Sequence, residues 1–331
     1  MARGIVSLLA LALHVISANA SSGDRDITFT ICVERCEADG PSGPREQPYA
    51  MFWSVRDECR YSCMEWIERA RQTEMTESQY HPHKYYGKWP IVRMAGMQEP
   101  ASAIFSLLNL VAHAHGIRAY LRVAPVTHYM RGMWMVYALL ACATWLASFI
   151  FHSRDVYLTE QFDYHLAQLA IAWSTVCAVV RVCELRSLAA RAAAATLVMG
   201  ADAYHIANMI SNGIDYGLNM KVAAIMWISA IVLWTGWGWL ATVPDRTGTQ
   251  SRRPFAWKID SFHFLLIPAA SLEVWDFPPV WHIFDAHALW HLATAPLTIL
   301  WWHIHCCDVS YDAQTSKRVG QLDDASALKT V

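Results

Sequence analysis

Histidine and aspartate residues stand at the edges of three long apolar stretches of this sequence. His152 closes one stretch, Asp163 opens the next, and His287 and His291 stand near the start of the last. His287 and His291 are four residues apart, so on a helix they share one face, with a rise of about 6 Å between them. A His-x3-His pair can supply two ligands to one metal ion, and zinc favours imidazole. The spacing therefore indicates a zinc site.

A third ligand from another helix would complete such a site. We interpret His152 as that ligand, which would leave one coordination position open for water, as in a catalytic zinc site. Ser148 lies one helical turn from His152 on the same face and can hydrogen-bond within the same pocket. A second interpretation stays open, because a histidine at a membrane interface is often only a polar residue at headgroup level. With 15 histidines in the chain, chance i,i+4 pairs are also expected.

The elements that would position these residues are membrane helices. The 331-residue chain is 55% hydrophobic and only 16% charged, whereas a soluble domain carries about a quarter charged residues. The apolar residues fall into seven blocks, each close to the ~20 residues that cross a bilayer. These blocks are 98–116, 133–152, 163–181, 192–211, 221–241, 259–275 and 284–304. We predict an all-α membrane protein with seven transmembrane helices over residues 98–304. The net charge of −2 gives no reason to expect nucleic acid as a partner.

Residues 1–20 have the features of a cleavable signal peptide. Arg3 gives the positive start, residues 5–16 form an apolar core, and Ala18-Asn19-Ala20 is a small-x-small cleavage site. The apolar core is short for a membrane span, which favours cleavage. The chain that follows is therefore expected to begin in the lumen of the secretory pathway.

Basic residues indicate the same orientation. With a luminal N-terminus, the first, third and fifth loops between helices are cytosolic, and the positive-inside rule predicts Lys and Arg there. Those loops hold Arg118, Arg122, Arg131, Arg181, Arg186, Arg191, Arg246, Arg252, Arg253 and Lys258. The other loops between helices hold only Arg154 and, at a boundary, Lys221. The tail, residues 305–331, is then cytosolic, and its polar composition predicts disorder.

Four cysteines lie in the polar segment before the first apolar block, residues 21–97. Cys32, Cys36, Cys59 and Cys63 form two C-x3-C pairs. In an oxidising compartment they predict two disulfides that staple a helical hairpin, although four cysteines allow three connectivities. A zinc site is the alternative, but its usual spacing is C-x2-C. We predict a small luminal, disulfide-stapled domain.

Two groups of motifs resemble a known family. Ser148-x3-His152, Asp163 eleven residues later and His287-x3-His291 resemble the CREST superfamily of seven-helix zinc proteins, which includes alkaline ceramidases and adiponectin-receptor-like proteins. The runs 85–90 (Tyr-Tyr-Gly-Lys-Trp-Pro) and 96–109 (Gly-Met-Gln-Glu-Pro-Ala-Ser to Leu-Leu-Asn) are more specific. They resemble the GPI-remodelling lipases named post-GPI-attachment-to-proteins factor 3. The likeness covers nearly the whole chain after the signal peptide.

The resemblance implies an activity and roles for named residues. The family removes the sn-2 acyl chain from the inositol phospholipid of GPI-anchored proteins, in the endoplasmic reticulum or the Golgi. By this likeness His152, His287 and His291 would bind zinc, and Asp163 would act as general base. Ser148 would orient the water or stabilise the oxyanion, with a nucleophilic Ser148 as the less favoured alternative.

Several other polar residues have two interpretations each. Asp285 would hold a ligating histidine or cap the last helix, and Glu99 would organise the pocket or cap the first. A polar stripe on the first helix would line the pocket or pack closely against a neighbour; it consists of Ser102, Ser106, Asn109 and His113. A polar face on the fourth helix would line the substrate cavity; it consists of Asp202, His205 and Asn208.

Two other function classes compete with the lipase. A ceramidase would cleave an amide with the same zinc site, and a non-enzymatic receptor or chaperone would keep the metal only for structure. The cysteine-rich segment and the Glu-Pro-Ala-Ser run argue against the ceramidase. The presence of both Asp163 and Ser148 argues against the receptor.

Overall fold

The computed structural model describes residues 21–40, 53–76, 78–240 and 253–327, so the predicted signal peptide lies outside the described residues. The described chain is helical apart from its loops and three isolated β-bridges. Its helices are α1 (Ile27–Asp39), α2 (Val55–Glu74), α3 (Pro100–Val123), α4 (Arg131–Ser153), α5 (Tyr157–Val182), α6 (Leu188–Asn212), α7 (Tyr216–Leu240), α8 (Trp257–Trp275) and α9 (Ala286–Ala327).

The all-α prediction is confirmed, and α3 to α9 coincide with the seven predicted apolar blocks. By length and composition, three of the described helices can cross a membrane: Arg131–Ser153, Tyr157–Val182 and Tyr216–Trp239. Polar residues of both groups of helices, among them His152 on α4 and His291 on α9, build the site described below.

Six of these helices form a closed ring. Going round it, α3 packs on α4, α4 on α5, α5 on α7, α7 on α8, α8 on α9, and α9 returns to α3, while α6 packs on α5. Aromatic rings fill the middle of this ring, where Trp134 stacks on Trp234 with centroids 6.2 Å apart and meets Trp302 at 6.0 Å. Because α9 closes the ring against α3, the first and the last of these seven helices become neighbours.

The N-terminal helices α1 and α2 form a disulfide-stapled hairpin, as predicted. Cys32 is bonded to Cys63 and Cys36 to Cys59. Each helix contributes two cysteines four residues apart, on one face, which is the arrangement that lets two antiparallel helices be bridged twice. The structure thus selects one of the three possible connectivities.

Residues 78–99, which we call the connecting segment, join the hairpin to α3 through two tight turns. Tyr86 and Gly87 have φ of 51° and 83°, and Ala95 and Gly96 have φ of 51° and 79°. Positive φ at both central residues is the signature of a type I′ turn, which favours glycine at the second position. These turns account for the glycines of the Tyr-Tyr-Gly-Lys and Met-Ala-Gly-Met sequences.

The prediction of a disordered tail is wrong for the described residues, because α9 runs without interruption from Ala286 to Ala327. The first charged residues of the tail have partners inside the fold. Asp308 is 4% exposed and accepts hydrogen bonds from Arg181 at 2.7 and 2.9 Å. A polar stretch that finds buried partners is held in order, which composition alone does not reveal.

Candidate functional site

Three histidine side chains from two helices converge at one end of the helical ring. His152 and His291 are 3% and 4% exposed, and His287 is half-buried. The Nε2 atoms of His152 and His287 are 3.3 Å apart, and one ring nitrogen from each of the three lies within 4.8 Å of the others. In the described part of the chain this is the one group of three or more His, Cys, Asp or Glu side chains arranged to hold a metal ion.

Backbone contacts place these histidines. His152 lies in the last turn of α4, where its carbonyl accepts from the Glu99 amide at 2.9 Å. His287 and His291 lie in the first two turns of α9, and Asp285 caps that helix by accepting from the Ala288 amide at 2.8 Å. Of the two interpretations of Asp285, the capping role is therefore the one that its hydrogen bond supports.

Each histidine has its Nδ1 atom engaged by a different group. His152 Nδ1 contacts Glu99 Oε2, and His287 Nδ1 is 2.7 Å from Glu273 Oε2. His291 Nδ1 is 3.0 Å from the Ser106 hydroxyl. With Nδ1 engaged, Nε2 is the ring nitrogen left over in each histidine, and the Nε2 atoms of His152 and His287 face each other.

This geometry fits a zinc ion. Two imidazole nitrogens bound tetrahedrally at about 2.0–2.1 Å stand roughly 3.3 Å apart, and the His152–His287 separation is 3.3 Å. An engaged Nδ1 on every ring is also typical of metal-ligating histidines. Three neutral nitrogen donors leave one tetrahedral position for a further ligand.

A charged chain runs from the connecting segment to His152. Lys88 Nζ is 2.8 Å from Glu99 Oε1 and 2.9 Å from Asp155 Oδ2. Burial by itself would lower the pKa of Lys88, but the charges of the two carboxylates outweigh it and raise that pKa. The Glu99 carboxylate thus lies between the Lys88 ammonium group and the His152 ring.

Ser148 and Asp163 both lie beside the three histidines, but each interacts with them differently. Ser148 is 4% exposed, and its hydroxyl is 3.0 Å from that of Ser106, which in turn reaches His291. Asp163 is partly buried and close enough to His152 and His287 to interact with them electrostatically. It makes no hydrogen bond to another side chain or amide among the described residues.

The polar stripe of α3 both packs against α9 and contacts the site. Asn109 donates to the His291 carbonyl at 2.7 Å, and His113 accepts from Trp302 at 3.2 Å. Ser106, one turn from Asn109, reaches the His291 ring through its hydroxyl, and Ser102 reaches the same ring through its carbonyl at 3.3 Å. Asn109 and His113 therefore fit the interpretation that the stripe packs against a neighbour, and Ser106 fits the interpretation that it lines the pocket.

The polar face of α6 makes its contacts away from the three histidines. His205 Nε2 is 3.2 Å from Asn219 Oδ1, on α7, and Asn208 pairs with Asn212 at 2.6 Å. Asp202 is fully buried. None of these three has a contact with the histidine group among the described residues.

Glu273 is the site residue that sequence reasoning missed. It lies two residues before the end of α8, where an acidic side chain has an ordinary explanation as an interfacial group. Its contact with His287 depends on how α8 packs against α9. The only indication in the sequence was a single acidic residue at the same predicted depth in the membrane as the histidines.

Fold and site together define a helical protein with apolar helices long enough to cross a membrane and with a buried three-histidine centre of metal-binding type. Residues 47–309 match the Per1-like family, and the chain belongs to that family. It is similar to the "GPI-specific phospholipase A2-like PGAP3" of Danio rerio, 33% identical over 95% of this chain and 99% of the relative. It is similar also to the Homo sapiens protein of the same name, 31% identical over 96% and 98%. The Drosophila melanogaster "Post-GPI attachment to proteins factor 3" is 34% identical over 89% and 91%. No solved structure matches the chain.

Proposed function

We propose that this protein is a zinc-dependent membrane hydrolase that removes the sn-2 acyl chain from the inositol phospholipid of GPI-anchored proteins. The observation that carries the proposal is the three-histidine centre, with each Nδ1 engaged and the Nε2 atoms of His152 and His287 facing each other. It occurs in a chain whose relatives are named GPI-specific phospholipase A2-like over nearly their whole length. The substrate follows from those names, and the chemistry follows from the site.

The proposal includes a membrane arrangement. Helices α3 to α9 would all span the bilayer of the endoplasmic reticulum or the Golgi, with the N-terminus luminal after removal of the signal peptide and the C-terminus cytosolic. The histidines would then lie at the luminal face, because α4 runs outward and ends at His152, whereas α9 runs inward from His287. The basic residues of the cytosolic loops support this orientation.

In the proposed mechanism His152, His287 and His291 would hold zinc, which when bound would supply Lewis acidity and lower the pKa of water. Asp163 accepts the proton of the water that attacks the ester carbonyl, and returns it to the glycerol oxygen as the acyl C–O bond breaks. Ser148 orients the water or donates its hydroxyl hydrogen to the oxyanion. Asp163 suits the base role better than Glu99 or Glu273, because both oxygens of each glutamate already have partners.

The test is zinc content measured together with acyl release. The purified full-length protein in detergent is compared with His291→Ala and with His303→Ala, an exposed histidine on the same helix that serves as the matched control. Each is given a GPI-anchored protein labelled in the sn-2 chain, and in parallel a ceramide. We expect about one zinc per chain and sn-2 release in the wild type and in the control, with both lost in His291→Ala.

Other results would reject parts of the proposal. Full activity without zinc would remove the metal mechanism and favour Ser148 as nucleophile. Fatty-acid release from ceramide but not from the GPI lipid would identify a ceramidase. Zinc bound without release from either substrate would indicate a non-enzymatic receptor or chaperone.

A further inference from the structure

Two glutamates outside the three-histidine group have the same contact pattern. Each uses one carboxylate oxygen to meet the Nδ1 atom of a histidine and the other oxygen to meet an anchoring side chain from a different element. Glu99 meets His152 through Oε2 and Lys88 through Oε1. Glu273 meets His287 through Oε2, and its Oε1 accepts from the Tyr216 hydroxyl at 3.2 Å.

The first pair brings the connecting segment to the site. Glu99 is 8% exposed, and it precedes α3 without capping that helix through its side chain. Its carboxylate is therefore committed to His152 and Lys88. Lys88 follows the first tight turn of the connecting segment and also pairs with Asp155 at 2.9 Å, so it is held from two sides.

The second pair joins two helices of the ring to the site. Glu273 lies in the last turn of α8, and Tyr216 is the first residue of α7. The Tyr216 hydroxyl satisfies the oxygen that His287 does not use. A carboxylate with both oxygens engaged has little freedom to rotate, so the imidazole that it contacts is held in one orientation.

We propose that Glu99 and Glu273 are positioning residues that aim His152 and His287 at the metal, with Lys88 and Tyr216 as their anchors. This inference rests on the proposed zinc-dependent function. A carboxylate that accepts from Nδ1–H fixes the tautomer whose Nε2 lone pair is free, and makes that nitrogen a better donor. His291, with a hydroxyl at Nδ1, lacks this carboxylate. Two of the three histidines are thus made better donors to the metal. Through Lys88, the connecting segment is part of the metal centre.

The direct test is zinc affinity, measured on the full chain by competition with a chromogenic chelator. Loss of an outer partner of a metal-ligating histidine typically weakens metal binding by 10–100-fold. We expect a loss of about that size in Glu99→Gln and in Glu273→Gln. The matched control is Glu160→Gln, which removes a carboxylate from the same end of the molecule without touching a histidine.

The anchors are tested separately. Lys88→Met and Tyr216→Phe should weaken zinc binding in the same direction but less, because the histidine keeps its glutamate. Their controls are Lys84→Met, which removes a lysine of the connecting segment that pairs with Asp276, and Tyr204→Phe, a tyrosine that is 79% exposed. Both controls should bind zinc as the wild type does.

A spectroscopic readout separates positioning from general loss of structure. With Co²⁺ in place of zinc, a change in ligand orientation shifts the visible absorption bands, whereas a chain that is merely less stable keeps the wild-type band at lower intensity. A shifted band in the two glutamate variants, with an unchanged far-UV circular dichroism spectrum, supports the inference. Wild-type affinity together with a wild-type Co²⁺ spectrum in both variants overturns it.

The same measurements distinguish this inference from the proposed function. A wild-type protein that binds no zinc overturns both together. A wild type that binds zinc and releases the sn-2 chain, with variants that bind equally well, overturns only the positioning roles.

Discussion

Asp163 differs from the other carboxylates near the histidines in having no hydrogen-bond partner among the described residues. Glu99 and Glu273 are each held at both oxygens, so they can orient a ring but cannot readily exchange a proton with substrate. Asp163 lies within electrostatic range of His152 and His287 and has its oxygens available. This difference is the reason why we propose Asp163 as the base and the two glutamates as positioning residues.

The variant Asp163→Asn should keep zinc and lose activity. An amide has nearly the same shape as the carboxylate but cannot accept the proton of water, and loss of a general base typically costs about 10²–10⁴-fold in rate. The measurement is the rate of sn-2 acyl release beside the zinc content, with Glu160→Gln, three residues earlier on the same helix, as control. Activity retained with zinc in place would exclude Asp163 as the base.

The sequence contained enough information to identify the three histidines but not their partners. His287 and His291 follow from i,i+4 spacing, and His152 follows from the depth that it shares with them. Glu273 could not be predicted, because its role depends on the packing of α8 against α9. Glu99 was left with two interpretations until its contact with His152 supported one of them.

At the scale of elements, a stack of aromatic and cationic groups docks the N-terminal hairpin on α4. The guanidinium carbons of Arg93 and Arg154 lie 3.6 and 3.8 Å from the centroid of the Trp53 ring. Arg154 also pairs with Asp57 of α2 at 2.8 Å. Because Arg154 comes two residues after His152, this contact ties the hairpin to the site.

The attachment of the hairpin should weaken at acid pH. Burial by itself raises the pKa of Asp57, but hydrogen bonds from Ser54 and the charge of Arg154 outweigh it and hold the pKa below its ordinary value near 3.8. A carboxyl group with a lowered folded pKa stabilises the fold above its unfolded pKa, and this contribution disappears as the pH falls through the folded value. We expect thermal stability to fall below about pH 4, and to fall less steeply in Asp57→Asn. Equal slopes in the two proteins would show that Asp57 carries none of this dependence.

Helices α3 and α9 approach each other closely at Gly116. A Cβ atom added there would overlap the indole ring of Trp302, which is 1% exposed and has no space to move into. Gly116→Ala should therefore destabilise the protein by about 1–3 kcal/mol, although alanine is the better helix former. Gly132→Ala on α4, where nothing lies within 4 Å, should be neutral or stabilising by up to about 1 kcal/mol. Denaturant unfolding of both variants in detergent is the measurement, and equal stability would contradict the close approach.

The positions of the helices could largely be predicted from the sequence. The segments and side-chain contacts that join the helices could not. Runs of about 20 apolar residues give α3 to α9 to within a few residues at most ends. The course of the connecting segment depends on two turns and on side chains that it meets more than fifty residues away, such as Asp155 beside Lys88. The order of the tail depends on Arg181, which lies 127 positions before Asp308.

At the scale of the whole molecule, ionic networks lie at both ends of the helical ring. Opposite the histidine site, Asp308 and Asp312 of α9 meet Arg181 of α5 and Arg253 before α8, at distances between 2.5 and 3.1 Å. The side chains of Arg181 and Asp308 are 2% and 6% exposed. These four residues join three parts of the chain that α9 must bring together to close the ring.

Removing one partner of this network should be costly. Asp308→Ala leaves a buried guanidinium with fewer acceptors, and breaking a buried ion pair from one side typically costs about 3–5 kcal/mol. The exposed pair of Glu37 and Arg56 offers a control, because Glu37→Ala should change stability by no more than about 1 kcal/mol. The measurement is the free energy of unfolding in detergent. Similar values for the two variants would show that the buried network adds no more than a surface pair.

The closure of the ring by α9 also determines when the site can exist. His152 and His287 are 135 positions apart in the chain, and a ribosome adds about 5–20 residues per second. Roughly 7 to 27 s of synthesis therefore separate the first histidine of the centre from the second. Throughout that interval the growing chain carries one of the three imidazoles. A nascent or truncated chain that lacks the last helix thus has no three-histidine centre, and the site is completed only after the start of α9 has been synthesised.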